Sequence, residues 1–158
     1  ISVVSGSASI VPNDNGSSAP ATATATMKLK IVARGGNLYL NGDDESTPGK
    51  EFFQIAVEGG NSSTSISSYT FTPSGTYTVT NSGADNEYYT LNENNTMYVD
   101  ISAIVSQATS GGTVLAGMKG SAILFGTDAT SDTTRSTNSL SYTALTDMLK
   151  GPKTTITK

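Results

Sequence analysis

The chain has 158 residues and a net charge of −4, which suits one domain with a core of its own. It contains no His and no Cys, and this excludes Ser-His-Asp triads, cysteine nucleophiles and zinc sites built on imidazole or thiolate. Thr and Ser together supply 46 of the residues, and this richness in strand and turn formers predicts an all-β fold.

Residues 1–11 form the first predicted strand, which is rich in Ser and β-branched residues. Its alternation places Val4, Gly6, Ala8 and Ile10 on one face. Residues 12–20 follow, bounded by two prolines and composed of turn residues, and they predict a linker. We therefore divide the chain into an N-terminal strand arm (1–11), a linker (12–20) and a β-sandwich domain (21–158).

The strongest alternation in the chain begins at Ala21. Apolar residues recur at every second position through Ala33, with Thr and Lys between them, which predicts a half-buried strand. Shorter strands are predicted at 37–41 and 51–58. Residues 69–72 and 76–80 resemble two strand pieces around a tight bend, and 88–91 with 97–101 look like a further pair.

The C-terminal third gives mixed signals. Residues 101–108 fit a strand but also fit helical spacing. The apolar run at 122–125 predicts a central strand, and the tail at 154–158 could close an edge. Leu145, Met148 and Leu149 recur at helical spacing before Gly151 and Pro152, so we expect at most one short helix, near 143–150.

Several phrases of the sequence resemble Ig-like β-sandwich modules of surface and surface-layer proteins from candidate-phylum bacteria. They are residues 28–40, 71–79, 123–128 and 149–153, and the resemblance spans most of 21–158. It implies an Ig-like β-sandwich in a cell-surface setting and names no ligand. The abundance of Ser, Thr, Asn and Gly with few Lys and Glu also favours an extracellular location.

Candidate ligand sites are few. Residues 13–15 and 43–45, and Asp128 with Asp132, could supply oxygen ligands to Ca²⁺, but none has the ordered spacing of a calcium loop. We therefore expect no catalytic residue and no bound cofactor. The sequons at Asn15, Asn61 and Asn94 are no more numerous than this composition predicts by chance.

The sequence also allows an intramolecular isopeptide bond and a sugar-binding surface. Surface sandwiches can carry a Lys–Asn isopeptide bond, and Lys28 or Lys30 could take part, although no motif identifies a partner. Seven Tyr residues could form a sugar-stacking platform, but Trp is absent, and core and cross-strand packing is the favoured explanation. A glycan therefore remains an alternative partner. Scattered basic residues argue against nucleic acid, and the absence of a run of about 20 apolar residues argues against membrane insertion.

The N-terminal arm is the most informative feature. It could simply be the first strand of its own domain, or it could be a donor strand that completes the sheet of the next subunit. Val4, Gly6, Ala8 and Ile10 would then be the inserted face, although the C-terminal residues 154–158 could be exchanged instead. We expect a structural subunit that assembles head to tail with copies of itself into an extracellular filament or surface layer. A glycan-binding adhesive module is the alternative, and a viral capsid or decoration protein is a weaker one.

Overall fold

The computed structural model describes residues 1–11, 21–42, 53–80, 87–108, 112–126, 139–140 and 149–157, and every regular element in them is a strand. The expected all-β class is confirmed. We expected at most one short helix near 143–150. Residues 143–148 lie outside the described residues, Leu149 lies in a turn and Lys150 begins a strand. The strands are β1 (Ser2–Val11), β2 (Ala21–Val32), β3 (Leu38–Asn41), β4 (Phe53–Gly59), β5 (Thr64–Gly75), β6 (Thr78–Thr80), β7 (Tyr88–Leu91), β8 (Thr96–Gln107), β9 (Val114–Gly126), β10 (Ser139–Leu140) and β11 (Lys150–Ile156).

The first sheet has four antiparallel strands in the order β1-β2-β8-β5. Its centre is β2, whose predicted alternation is confirmed at every position, because each residue expected to face inward is buried. The opposite face of β2 carries Thr and Lys side chains that remain half-exposed. Because the apolar residues of β2 all lie on one face, that face of the sheet is the one that packs against the core.

The ambiguous segment 101–108 belongs to β8, a continuous strand. Met97, Val99, Ile101, Ala103 and Val105 are buried at a period of two, and β8 is paired along both edges, with β2 and β5. Hydrogen bonding on two sides holds the segment extended and decides against the helical spacing that the sequence also allowed.

The second sheet is organised around β9, the longest strand. β3 and β4 pair with one edge of β9, and β10 and β11 pair with the other edge. β7 and β6 extend the sheet beyond β3. The predicted central strand at 122–125 is therefore the C-terminal part of a strand with neighbours on both sides.

The two sheets pack face to face. β11 lies against β1 and β2, β9 against β2 and β8, and β4 against β5. The core between the sheets contains Leu29, Leu40, Phe53, Met97 and Met118, all fully buried. This is the two-layer arrangement of a β-sandwich, and β2 and β8 alternate between buried apolar residues and residues on the outward face.

Two predicted local strand pairs are wrong. Residues 69–75, including Pro73, Ser74 and Gly75, belong to β5 and pair with β8 in the first sheet, whereas 78–80 form β6 in the second sheet. The chain therefore crosses between the sheets at residues 76–77. In the same way β7 and β8 lie in different sheets. Pro73 is tolerated within β5 because this strand lies at the edge of its sheet.

A polar cluster around one buried amide lies at the turn between β4 and β5. Gln107 is fully buried, accepts a hydrogen bond from the Thr64 hydroxyl and donates one to Asn61 Oδ1 at 3.3 Å. The Ser63 amide also donates to Asn61 Oδ1, at 2.9 Å. These bonds satisfy a buried amide and fix the turn between β4 and β5.

One carboxylate on the outer face of the second sheet holds three ammonium groups. Glu58 on β4 is only 12% exposed at its side chain, and its oxygens lie 3.5 Å from Lys119 Nζ, 3.6 Å from Lys150 Nζ and 3.8 Å from Lys153 Nζ. The lysines lie on β9 and β11, so this cluster joins three neighbouring strands.

We expect Glu58→Gln to lower the free energy of unfolding by about 1–2 kcal/mol at low ionic strength, because three ammonium groups lose their shared carboxylate. The lysines are partly exposed, so the loss should shrink at high ionic strength. Urea unfolding at both ionic strengths measures it. Asp100→Asn is the matched control, because it removes a single exposed ion pair; an equal loss in both variants would contradict the cluster's importance.

Candidate assembly edge

β1 is the terminal strand of the first sheet. It pairs antiparallel with β2 from Ser2, opposite Lys30, to Val11, opposite Thr22. No strand in the described part of the chain pairs with its other edge. One row of backbone N–H and C=O groups of β1 therefore faces away from the sheet, in the arrangement that accepts an added strand.

The composition of this edge is unusual for a terminal strand. Residues 1–11 contain no charged side chain and no proline. The described residues have seven exposed large apolar side chains, and residues 1–11 hold four of them: Ile1, Val4, Ile10 and Val11. Val4 is 52% exposed and Ile10 is 54% exposed. Monomeric β-proteins commonly protect edges with Lys or Pro, and β1 has neither.

The four residues predicted to form one face are placed differently from one another. Gly6, Ala8 and Ile10 lie opposite Met27, Ala25 and Ala23, so they share the inward side of the sheet. Val4 lies at a register shift between Val3 and Ser5. Because of this bulge, Val3 takes the inward place opposite Leu29 and is half-buried.

Gly6 marks a close contact of β1 with both sheets. A Cβ atom on this residue would lie 2.8 Å from Pro152 Cδ and 2.8 Å from the backbone oxygen of Thr26. Pro152 belongs to β11 in the opposite sheet and lies at the irregularity between Lys150 and Lys153. Both sheets therefore contact β1 at this position, and only glycine fits between them without displacement.

The sequence missed Pro152 as part of this site. Its position after Gly151 predicted only the end of a helix. No local signal could have linked it to Gly6, because the two residues are far apart in the chain and belong to different sheets.

The outward face of β1 and β2 is polar. The Ser7 and Thr26 hydroxyls lie 2.8 Å apart across the strand pair. Beside them, Lys28 Nζ lies 3.0 Å from Asp100 Oδ2 and 5.7 Å from the centre of the Tyr98 ring. The Lys28 and Asp100 side chains are 37% and 54% exposed, so this contact is a hydrated ion pair rather than the buried setting that an isopeptide bond with Lys28 would need.

The tyrosines of the described residues contact one another or neighbouring groups. Tyr39 meets Tyr88 and Tyr77 meets Tyr89, with ring centres 6.1 and 5.4 Å apart, both edge to face. Tyr69 meets Phe71 edge to face at 5.3 Å. These geometries are those of packed aromatic pairs. A sugar stacks on an open aromatic ring face. These edge-to-face pairs do not present their ring faces in one plane.

The other predicted ligand sites fall largely outside the described residues. This applies to the acidic segments 13–15 and 43–45, to Asp128 and Asp132, and to the sequon at Asn15. Asn61 and Asn94 lie at exposed turns. Within the described ranges, no group of three or more Asp and Glu side chains is arranged to hold a metal ion.

Comparison with protein-family models, with curated proteins and with solved structures finds no match to this chain. The resemblance to Ig-like surface modules stays a prediction. Among the residues that the structure describes, no helix is long and apolar enough to cross a membrane.

Proposed function

We propose that this protein is a structural subunit of an extracellular filament or surface layer and that copies of it assemble through β1. The observation that carries the proposal is the state of β1: a ten-residue edge strand with exposed apolar side chains, no charged side chain and one edge that no strand of the described residues pairs with. The partner is another copy of the same chain, and the work is assembly rather than catalysis.

The physical basis is strand addition. A second strand placed along β1 would satisfy the row of backbone groups that the sheet leaves open. The same strand would cover part of Val4 and Ile10, which removes apolar surface from water. In the proposed assembly the β1 edge meets a different surface of the next copy, and such a head-to-tail contact does not close on itself and can continue as a polymer.

The hydroxyl-rich surface supports an extracellular setting. Thr and Ser dominate the outward positions of β1, β2 and β5, and they hydrate a surface without adding charge. The loose resemblance to modules of bacterial surface proteins supports the same setting, and it supports an Ig-like arrangement of the sandwich.

Charges placed on the edge test the proposal. We expect Val4→Lys combined with Ile10→Lys to abolish assembly, because an ammonium group at an open edge opposes the approach of a second strand. Both positions are more than half exposed, so the fold should be retained. Sedimentation and electron microscopy of wild type and variant, over a range of concentrations, measure the assembly.

Leu115→Lys is the matched control. Leu115 is 54% exposed, like Ile10, but lies on β9 in the other sheet. Wild-type assemblies that persist in the control and vanish in the β1 variant support the proposal. A wild-type chain that stays monomeric at every concentration, or a β1 variant that assembles normally, would contradict the proposal. Glycan binding would then be the function to test.

A further inference from the structure

The connection between β1 and β2 is long for strands that pair as neighbours. Val11 lies opposite Thr22, so ten residues separate the last opposed pair. Antiparallel neighbours are usually joined by about 2–5 residues. A connection of this length is not needed for pairing within one chain, and it is the feature that lets an edge strand reach another copy.

We propose that β1 is exchanged between neighbouring copies, pairing in trans with β2 in the register seen in the single chain, and that these neighbours lie side by side. The inference rests on the proposed function, because both have copies assemble through β1. It specifies the register and the direction of a contact along the edge of β1 that meets β2, whereas the strand addition described above concerns the opposite edge. The occupant of the site beside β2 is the β1 strand of a second copy.

The seat for β1 is visible in the single chain. Nine residues of β1 lie opposite residues of β2, Gly6 fits against Pro152, and Ser7 meets Thr26. An identical strand from a second copy would make the same contacts, because the copies have the same sequence. Exchange therefore preserves the interactions of β1. Whether β1 pairs with β2 of its own chain or of a second copy then depends on the linker and on the local concentration of chains.

The side chains of β1 contribute little to the buried core. Within the strand only Val3 and Ala8 are even half-buried, and all other β1 residues are exposed. β2 and β8, in contrast, bury a complete apolar face. The chain can thus release β1 while the core between the two sheets retains most of its apolar contacts.

The linker limits where the second copy can lie. Ten Cα steps join Val11 to Ala21, and a fully extended chain of that length spans at most about 33–36 Å. The seat for Val11 in the second copy lies at the same end of β2 as Ala21 in the first. Copies stacked end to end would separate these like ends by one strand length, about 40 Å for twelve residues.

Side-by-side copies satisfy this limit. The first sheet has four strands, so it is about 15–20 Å wide, and like ends of neighbouring copies come within the reach of the linker. The polymer axis then runs across the strands rather than along them. Its repeat cannot exceed the span of the extended linker.

A pair of cysteines distinguishes trans from cis pairing. The chain has no cysteine, so Ser7→Cys with Thr26→Cys introduces the only thiols. Residues 7 and 26 lie directly opposite each other, and opposed Cα atoms in antiparallel strands are about 4.5–5.5 Å apart, within disulfide range. The double variant is assembled under reducing conditions, oxidised and run on a denaturing gel without reductant.

We expect most of the oxidised chain in bands at multiples of the chain mass. As a second measurement, S7C chains are mixed with size-tagged T26C chains before assembly, and neither of these can close a disulfide within itself. A mixed disulfide between the two sizes is expected. Ser9→Cys with Thr26→Cys is the register control, because diagonal positions are about 7–8 Å apart and should not crosslink.

The outcomes separate this inference from the proposed function. Assemblies as abundant as those of wild type, with only monomer bands after oxidation, would overturn the exchange and leave assembly through the β1 edge standing. A single dimer band would show a closed reciprocal exchange and overturn the side-by-side polymer. Crosslinking by the register control would overturn the register. A wild-type chain that forms no assemblies would instead defeat the proposed function itself.

Discussion

Replacing Phe53 with alanine is expected to lower the free energy of unfolding by about 3–5 kcal/mol. Phe53 begins β4 and is fully buried. Its ring packs over Gly120 of β9: a Cβ on Gly120 would lie 2.7 Å from Phe53 Cζ and 3.1 Å from Leu149 Cβ. Gly120 has no side chain that could fill the space left by the Phe53 ring, so the Phe53→Ala variant should contain a cavity.

Chemical denaturation measures this loss. Phe53→Leu should lose much less than Phe53→Ala, because leucine refills most of the volume. Leu115→Ala, at an exposed position of β9, should change the stability by no more than about 0.5 kcal/mol. Equal stability of the Phe53→Ala and Leu115→Ala variants would contradict the placement of Phe53 in the core.

Gly6→Val should loosen β1 and weaken assembly together. Valine is the better strand former of the two residues, so local propensity alone predicts a gain in stability. The added Cβ, however, would meet Pro152 and the Thr26 backbone oxygen at 2.8 Å. The Thr26 oxygen belongs to the backbone and cannot move freely, so we expect overpacking to lower the free energy of unfolding by about 1–3 kcal/mol.

Hydrogen exchange locates this effect, because the amides of residues 2–11 should lose protection while those of β8 keep it. Ser9→Val is the control, since Ser9 is exposed on the same strand and lies opposite Thr24 on the outward side. A Gly6→Val chain that is more stable than wild type would show that β1 is not seated against Pro152. In the assembled protein the same substitution should reduce polymer formation, whether β1 is seated in cis or in trans.

The local sequence was sufficient to predict the strands with one buried face. The inward positions of β2 are all as the alternation predicts, because a period of two over twelve residues leaves only one way to bury the apolar set. Composition alone predicted the all-β class, because Thr and Ser disfavour long helices. For β8 the same reasoning left strand and helix open, and only pairing with β2 and β5 resolved it.

The candidate site was predictable in part. Residues 2–11 form a strand, and Gly6, Ala8 and Ile10 share a face, as their spacing predicts. Val4 does not follow, because the bulge beside it shifts the register by one residue. A bulge has no clear signal in a Ser-rich strand, where several registers leave similar residues on each face.

Local alternation was enough to predict which residues of β2 face inward. The choice of neighbouring strands was made by contacts between distant segments of the chain. These contacts placed β5 and β6 in different sheets, set Pro152 against Gly6, and buried Gln107 with Thr64 and Asn61 as partners. The reason is physical: side-chain alternation is a local property of the backbone, whereas the partner of a strand edge is chosen by hydrogen bonds and packing between segments far apart in the chain.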